Sequence, residues 1–167
     1  MNLLILGAGE YGQLVKEMAK TMFDTIDFLD DKSEHAIGKI ADLKIHVKNY
    51  KYAIVAIGNN SMRAKLFAEL KSVGYKFPQL ISEKAYISPS AKIDDGVIIE
   101  PMAIIQTGSI IRRGSIISSG SVINHNAVVN EYCHIDCNSV VGADAVIPPL
   151  THVCYGQVIT RDNNAKQ

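Results

Sequence analysis

This chain has no surplus of charge with which to hold a polyanion or a membrane surface. Lys and Arg number 17, Asp and Glu number 17, the net charge is +0 and the pI is near 7.0. The basic footprint of a nucleic-acid-binding protein is therefore missing. Long apolar runs are missing too: no stretch approaches the ~20 residues that a membrane-spanning helix needs. The opening residues MNLLILGAG read as a buried strand and a glycine turn, without the n-region and h-region of a signal peptide. Cysteines are few and odd in number. Cys133, Cys137 and Cys154 read as small core or corner residues in a reducing cytoplasm, and Cys133-x3-Cys137 is a poor zinc spacing, so no metal is expected. Neither a Ser/His/Asp set nor a Cys/His set is evident, so the chemistry looked for is one that needs no protein nucleophile.

What the chain does have is a period of six. From Ile87 to Ile159 every sixth residue is isoleucine or valine, without a break. Six matches neither a helix nor simple strand alternation, and it predicts a parallel β-helix built from hexapeptides. Two further columns agree. Four residues after each aliphatic the side chains are small, Val97 and Gln157 excepted, as an inner corner demands. Three residues after each aliphatic, eight of twelve positions are Gly, Asn or Asp, types that tolerate positive φ at a tight corner. Three hexads make a coil of 18 residues, so residues 87–158 provide four coils, a prism roughly 19 Å tall at a strand spacing of about 4.8 Å. Across coils, Asp95 aligns with Arg113 and Glu131, and Asp94 with Arg112 and Asn130, as exposed ladders that fix register.

The first eighty residues follow a different pattern. Leu3–Leu6 is a buried-strand run leading into Gly7-Ala8-Gly9-Glu10-Tyr11-Gly12 and a helix over Gln13 to Met22. A second strand at Ile26–Leu29 runs into Asp30-Asp31, a third spans Lys51–Ile57 before Gly58-Asn59-Asn60, and residues 61–73 read as a helix. Strands alternating with helices predict a small parallel α/β unit. G-x-G-x-x-G after the first strand is a dinucleotide fingerprint, with Asp30 placed 18 residues past Gly12 as the ribose acid. The unit is too short for a full dinucleotide fold. A nucleotide or nucleotide-sugar diphosphate on the turn fits better, with Asp30 or Asp31 at the base or ribose; a turn that only packs strand on helix is the other reading. The domains expected are 1–80, 81–160 and a frayed tail at 161–167.

These features together resemble one family. The short glycine-turn domain, Phe28-Leu29-Asp30-Asp31, Ala56-Ile57-Gly58-Asn59-Asn60 with Arg63, and hexapeptides carrying Ile123-Asn124-His125 resemble the sugar O-/N-acyltransferases of the sialic acid O-acetyltransferase type. That group includes N-acetyltransferases of UDP-linked 4-amino sugars. The resemblance covers roughly residues 2–155. It implies an α/β Rossmann-like domain followed by a left-handed parallel β-helix of about four coils, a homotrimer with active sites in the clefts between subunits, and acetyl-CoA as co-substrate. It further implies nucleotide-sugar contacts from Gly9, Glu10, Tyr11, Gly12, Asp30 and Asp31, joined by Gly58, Asn59 and Asn60. It places the general base at His125 with Asn126 beside it, and acyl-CoA contacts at His134, Gly142 and Ala143.

Acyl transfer needs a base that titrates near neutrality, which imidazole does. His125 would take the proton as a sugar nitrogen or oxygen attacks the thioester carbonyl, with N–H donors stabilising the oxyanion. Members of the family commonly carry Asp or Glu where this chain has Asn126, and a glycine where it has Ala143; their further coils and C-terminal tail are not expected after Ile159. Two rival readings remain at this point. One is a non-catalytic nucleotide-sugar-binding member. The other is a metal hydratase of the γ-carbonic anhydrase kind, suggested by His134 and His152, 18 residues apart on adjacent coils.

Overall fold

The computed structural model describes residues 1–162, and its chain divides into two compact units, Met1–Leu80 and a second from Ile81 onward. The frayed tail expected at 161–167 lies, from residue 163 on, outside the described residues.

The first unit is a three-stranded parallel sheet, order β2-β1-β3, with β1 Asn2–Leu6, β2 Thr25–Leu29 and β3 Tyr52–Val55. Leu3, Leu4, Ile5 and Leu6 of the central strand are all fully buried, as a strand covered on both faces requires. Helix α1, Glu10–Ala19, begins three residues earlier than the apolar pattern indicates, because Gly9 in extended conformation serves as its N-cap. A short helix α2 spans Leu43–His46. Helix α3, Asn60–Val73, is capped by the Asn59 side chain, which accepts from the Met62 N–H at 2.8 Å, and it ends at Gly74 in the left-handed region.

The second unit is the parallel β-helix. A two-residue strand recurs at every hexad from Tyr86–Ile87 to Val158–Ile159, and partners lie one coil apart in register, for example Ile116 beside His134 and Ile117 beside Ile135. The aliphatic column from Ile99 to Val141 is wholly buried along the axis, each residue contributing about 1.5–3 kcal/mol by leaving water. Small residues of the inner-corner column join it, and Val97 fits there too at 0% exposure. Serines in this column bring hydroxyls into the core, and each is satisfied by a backbone carbonyl: Ser115 donates to Asn130 O, Ser121 to Asp136 O and Ser139 to Cys154 O, all at 2.9 Å.

The corner column does more than its residue types suggest. Positive φ occurs at Gly96, Gly108, Gly114, Gly120, Asn126, Asn138, Asp144 and Gly156, but also at Met102, Tyr132 and Leu150. Coil geometry imposes the conformation, at about 1–2 kcal/mol for each ordinary side chain. At Gly108 a second constraint applies, since an added Cβ would lie 2.5 Å from Oδ1 of Asn126 on the next coil. In the register ladders Arg112 meets Asp94 at 3.7 Å, a solvent-facing pair of little energetic weight. Cys133 is buried, Cys137 half-buried and Cys154 exposed, and all three are free thiols.

Candidate functional site

The N-terminal unit builds its crevice where strand order reverses. From β1 the chain goes to β2 on one side, then to β3 on the other, so the turn after β1 and the loop after β3 part at the carboxyl edge of the sheet. Glycines there have two separate jobs. Gly7 has φ +102, and a Cβ on Gly12 would stand 2.1 Å from the Gly7 carbonyl oxygen, so these two hold strand against helix. Gly9 and Gly58 have nothing within 4 Å of an added Cβ, so they leave the backbone open to approach. One cavity of about 480 Å³ is lined by Gly9, Glu10, Gln13, Lys16, Phe28 and His35. A second, of about 640 Å³, is lined among others by Asp30, Asp31, Ile57, Met62, Lys65 and Glu69. Tyr11 is half-buried on the first turn of α1.

The two acids differ. Asp30 accepts from the Ala8 N–H at 2.9 Å through one oxygen, and from Lys32 and Ser33 N–H at 2.8 and 3.0 Å through the other. It is a clip that ties the glycine turn to the end of β2, whereas Asp31 is exposed and one of its oxygens accepts from Ile40 N–H at 3.1 Å. Asn59 and Asn60 likewise direct their side-chain oxygens inward, Asn59 to the Met62 N–H and Asn60 to Arg63 Nη2 at 2.8 Å. Arg63, 1% exposed, also donates to the carbonyls of Ile57 and Gly58 at 2.9 and 3.2 Å and so shapes the second loop.

The clip makes the unit acid-sensitive. Bonds from Ala8 first, then from Lys32, hold the Asp30 carboxyl below the usual aspartate range against the opposing effect of burial. A folded value below the unfolded one contributes stability that is present above the unfolded pKa and lost as pH falls through it towards the folded value. The wild-type urea midpoint should therefore decline as pH drops below about 4. Asp30→Asn should be less stable at pH 7 and lose less over the acid range; parallel curves for the two proteins would rule the clip out.

On the β-helix, His125 is exposed at a corner that follows the buried Ile123. Its backbone N–H and its Nδ1 both lie 2.8 Å from Oδ1 of Asn124. A backbone N–H can only donate, so that atom is the amide oxygen, and Nδ1 must then carry the ring proton. The tautomer leaves Nε2 as the acceptor, the arrangement a general base requires. Asn124, not Asn126, is the residue that orients the ring. Asn126, at φ 56, extends Nδ2 towards Asp144 Oδ1 at 3.3 Å and lies over Gly108, as a member of the corner ladder. Asn124 stood in the motif, and its signal was the habit of Asn side chains to accept from a nearby backbone N–H.

The positions expected to meet acyl-CoA are dispersed in role. The Gly142 N–H donates to Ile159 O at 2.7 Å, and an added Cβ would come within 3.1 Å of that oxygen, so Gly142 serves coil stacking. Ala143 is half-buried one coil from His125. His134 is half-buried with Nε2 3.1 Å from Ser118 Oγ, and its ring stacks on His152 at 4.9 Å and 16°. That stack turns two imidazoles flat to each other instead of converging them on one ion. Among the described residues no group of three or more His, Cys, Asp or Glu could hold a metal.

Known proteins share this architecture. Residues 2–70 match the family described as the PglD N-terminal domain. The acetyltransferase domain of PglB from Neisseria gonorrhoeae FA1090 matches over 96% of this chain and 83% of its own, with TM-score 0.91 and 26% identity. In architecture the chain shares the fold of that acetyltransferase domain, an α/β unit followed by a hexapeptide-repeat β-helix. The same Neisseria domain in complex with acetyl coenzyme A also matches at TM-score 0.91, with 27% identity over 96% of this chain and 82% of that one. PerB from Caulobacter crescentus, in complex with CoA and GDP-perosamine, shares the fold at TM-score 0.54 and 20% identity, over 95% of this chain and 91% of its own.

Proposed function

We propose that this chain transfers an acetyl group from acetyl-CoA to the amino group of a nucleotide-linked sugar, with His125 as the general base. The observation that carries the reading is the match along almost the whole chain to an acetyltransferase domain seen with acetyl coenzyme A, combined with an imidazole fixed as the Nδ1–H tautomer. The sugar nitrogen attacks the thioester carbonyl, and Nε2 of His125 accepts a proton from that nitrogen as the C–N bond forms. The tetrahedral intermediate collapses with loss of the CoA thiolate, which takes up a proton. No covalent enzyme intermediate is needed.

The nucleotide diphosphate is assigned to the open backbone at Gly9 and Gly58, with α1 supplying N–H groups and the positive end of its dipole. Glu10 and Tyr11 begin that helix, and Asp31 faces the ribose or base. His134 and Ala143 are both assigned to the acyl donor.

The working assembly is a homotrimer, in the cytoplasm. Its support on this chain is an apolar column on one outer face of the β-helix, Tyr86, Ile104, Val122, Val140 and Val158, which pair in register along one sheet. Tyr86 and Val158 are 58% and 57% exposed in the single chain, a cost that burial against a second copy removes. Among the described residues no helix is long and apolar enough to cross a membrane.

The test is thiol release from acetyl-CoA against UDP- and GDP-linked amino sugars and free sialic acid, on protein whose mass is measured by sedimentation. Turnover with one nucleotide-linked amino sugar, by a trimer, is the expected result. Thermal stabilisation by the sugar nucleotide alone, with no thiol release on any acceptor, would instead mark a non-catalytic binding protein.

A further inference from the structure

Two carboxylates are buried in the β-helix, each directly after a strand of one sheet, where a solvated or apolar side chain would cost less. Glu100 is 4% exposed and Asp136 5%, in a column that also holds Ser118 at 3%. Glu100 is held by the N–H and Oγ of Ser119, both 3.0 Å from Oε2. Asp136 accepts from the Cys137 N–H at 3.0 Å through Oδ1, while Oδ2 lies 3.1 Å from Nε2 of His152. His152 in turn lies flat against His134, ring centroids 4.9 Å apart, and His134 reaches Ser118 Oγ, in the same column as the two acids. Ser118 and Asp136 touch the two stacked rings, and Glu100, Cys137 and Tyr155 lie within electrostatic reach of one another and of Asp136, whose charge is the chief cause that raises the Tyr155 phenol above its ordinary range.

A carboxylate accepts only, so the His152 nitrogen facing Asp136 carries a proton and the ring plane is fixed by that bond. The fixed plane is the surface on which His134 stacks, and the Ser118 hydroxyl holds the edge of His134. Asp136 therefore acts two residues removed from the ring it steadies, through a bond and then through a stack. A lone half-buried histidine would sample several rotamers, whereas this one is confined from its face and from its edge.

We propose that Asp136 and His152 are positioning residues for acetyl-CoA: together they fix the plane of the His134 ring against the acyl donor. This rests on the assignment of His134 to the acyl donor made above, and it adds two residues that the sequence pattern did not connect with that role.

The experiment is steady-state kinetics of the full chain, with KM for acetyl-CoA and for the sugar nucleotide measured separately, and melting temperature recorded for each variant. His134→Ala reports on the parent assignment. Asp136→Asn keeps the shape of the buried side chain and removes its charge, His152→Ala removes the stacking surface, and His152→Phe restores a ring without the bond to Asp136. We expect His134→Ala and His152→Ala to raise KM for acetyl-CoA roughly tenfold or more, with KM for the sugar nucleotide and the melting temperature unchanged. Asp136→Asn and His152→Phe should fall between these and wild type. If His134→Ala raises KM for acetyl-CoA while His152→Ala and Asp136→Asn match wild type, the positioning role is wrong and the donor assignment stands. If His134→Ala itself matches wild type, the donor assignment fails and takes this inference with it.

Discussion

Replacing His125 by alanine is expected to lower kcat by a factor of about 10² to 10⁴, the usual contribution of a placed general base. Binding of the sugar nucleotide should be unchanged, because the N-terminal unit that carries the glycine turn is a separate compact unit. His125 is exposed and, among the described residues, its side chain hydrogen-bonds only to Asn124 next to it in sequence, so removing the ring opens no core cavity and melting should not shift. Asn124→Ala provides the graded comparison. Besides the bond from the backbone N–H it removes the neutral hydrogen bond to the ring, about 1 kcal/mol, and frees the ring to carry its proton on either nitrogen, so kcat should fall roughly five- to tenfold. Asn126→Ala should leave kcat close to wild type, since its side chain serves the corner ladder with Asp144. Thiol release from acetyl-CoA reads all three. Turnover that survives His125→Ala would preserve the enzyme class and remove this histidine from the mechanism.

The order of those three effects also marks what could be read from the sequence. The β-helix was fully legible, because a coil repeats its environment every 18 residues and the aliphatic, small and turn-forming columns each report the same geometry. Met102, Tyr132 and Leu150 adopt positive φ although their types argue against it; there the stacked coil overrides local preference. The start of α1 was misplaced because a helix can begin on polar residues once Gly9 caps it, and apolar periodicity is blind to that turn. The family resemblance singles out His125 as the base but not the residue that hydrogen-bonds its ring. A carboxylate one residue later is the family pattern, and only coordinates reveal that the amide one residue earlier bends back onto both the backbone and the ring. Asp30 shows a similar ambiguity: an acid at the end of β2 serves a ribose or a neighbouring turn equally well by position, and only coordinates reveal the three backbone N–H groups that tie it to the turn. The link from Asp136 through His152 to His134 was hidden because it crosses coils at offsets of 16 and 18, with neither end unusual by itself.

Gly12→Ala and Gly9→Ala should have opposite consequences, although each adds one methyl group to the same turn. At Gly12 the new Cβ would lie 2.1 Å from the Gly7 carbonyl oxygen and 2.9 Å from its carbon. Both are backbone atoms of a residue at φ +102, where movement is restricted, and the aromatic edge of Phe28 closes the remaining side at 3.5 Å. Helix α1 must separate from β1, and the cost should reach the upper part of the range for overpacking, about 3 kcal/mol. For a unit of this size that is a drop of more than roughly 10 °C in melting temperature. At Gly9 the backbone is at φ −70 and ψ −173, extended values open to any residue, and nothing lies within 4 Å of the added carbon. Folding should be indifferent, within about 0.5 kcal/mol. The methyl group does, however, project from the turn where a diphosphate must approach the backbone, so affinity for a UDP-linked amino sugar should fall roughly tenfold, ~1.4 kcal/mol. Calorimetric melting and titration of both variants separate the two roles. A Gly9→Ala protein that binds the sugar nucleotide as wild type does would leave the turn as a packing device and move the diphosphate elsewhere. A Gly12→Ala protein that melts with wild type would mean that the helix yields at no cost, and the steric account of the fingerprint would fall.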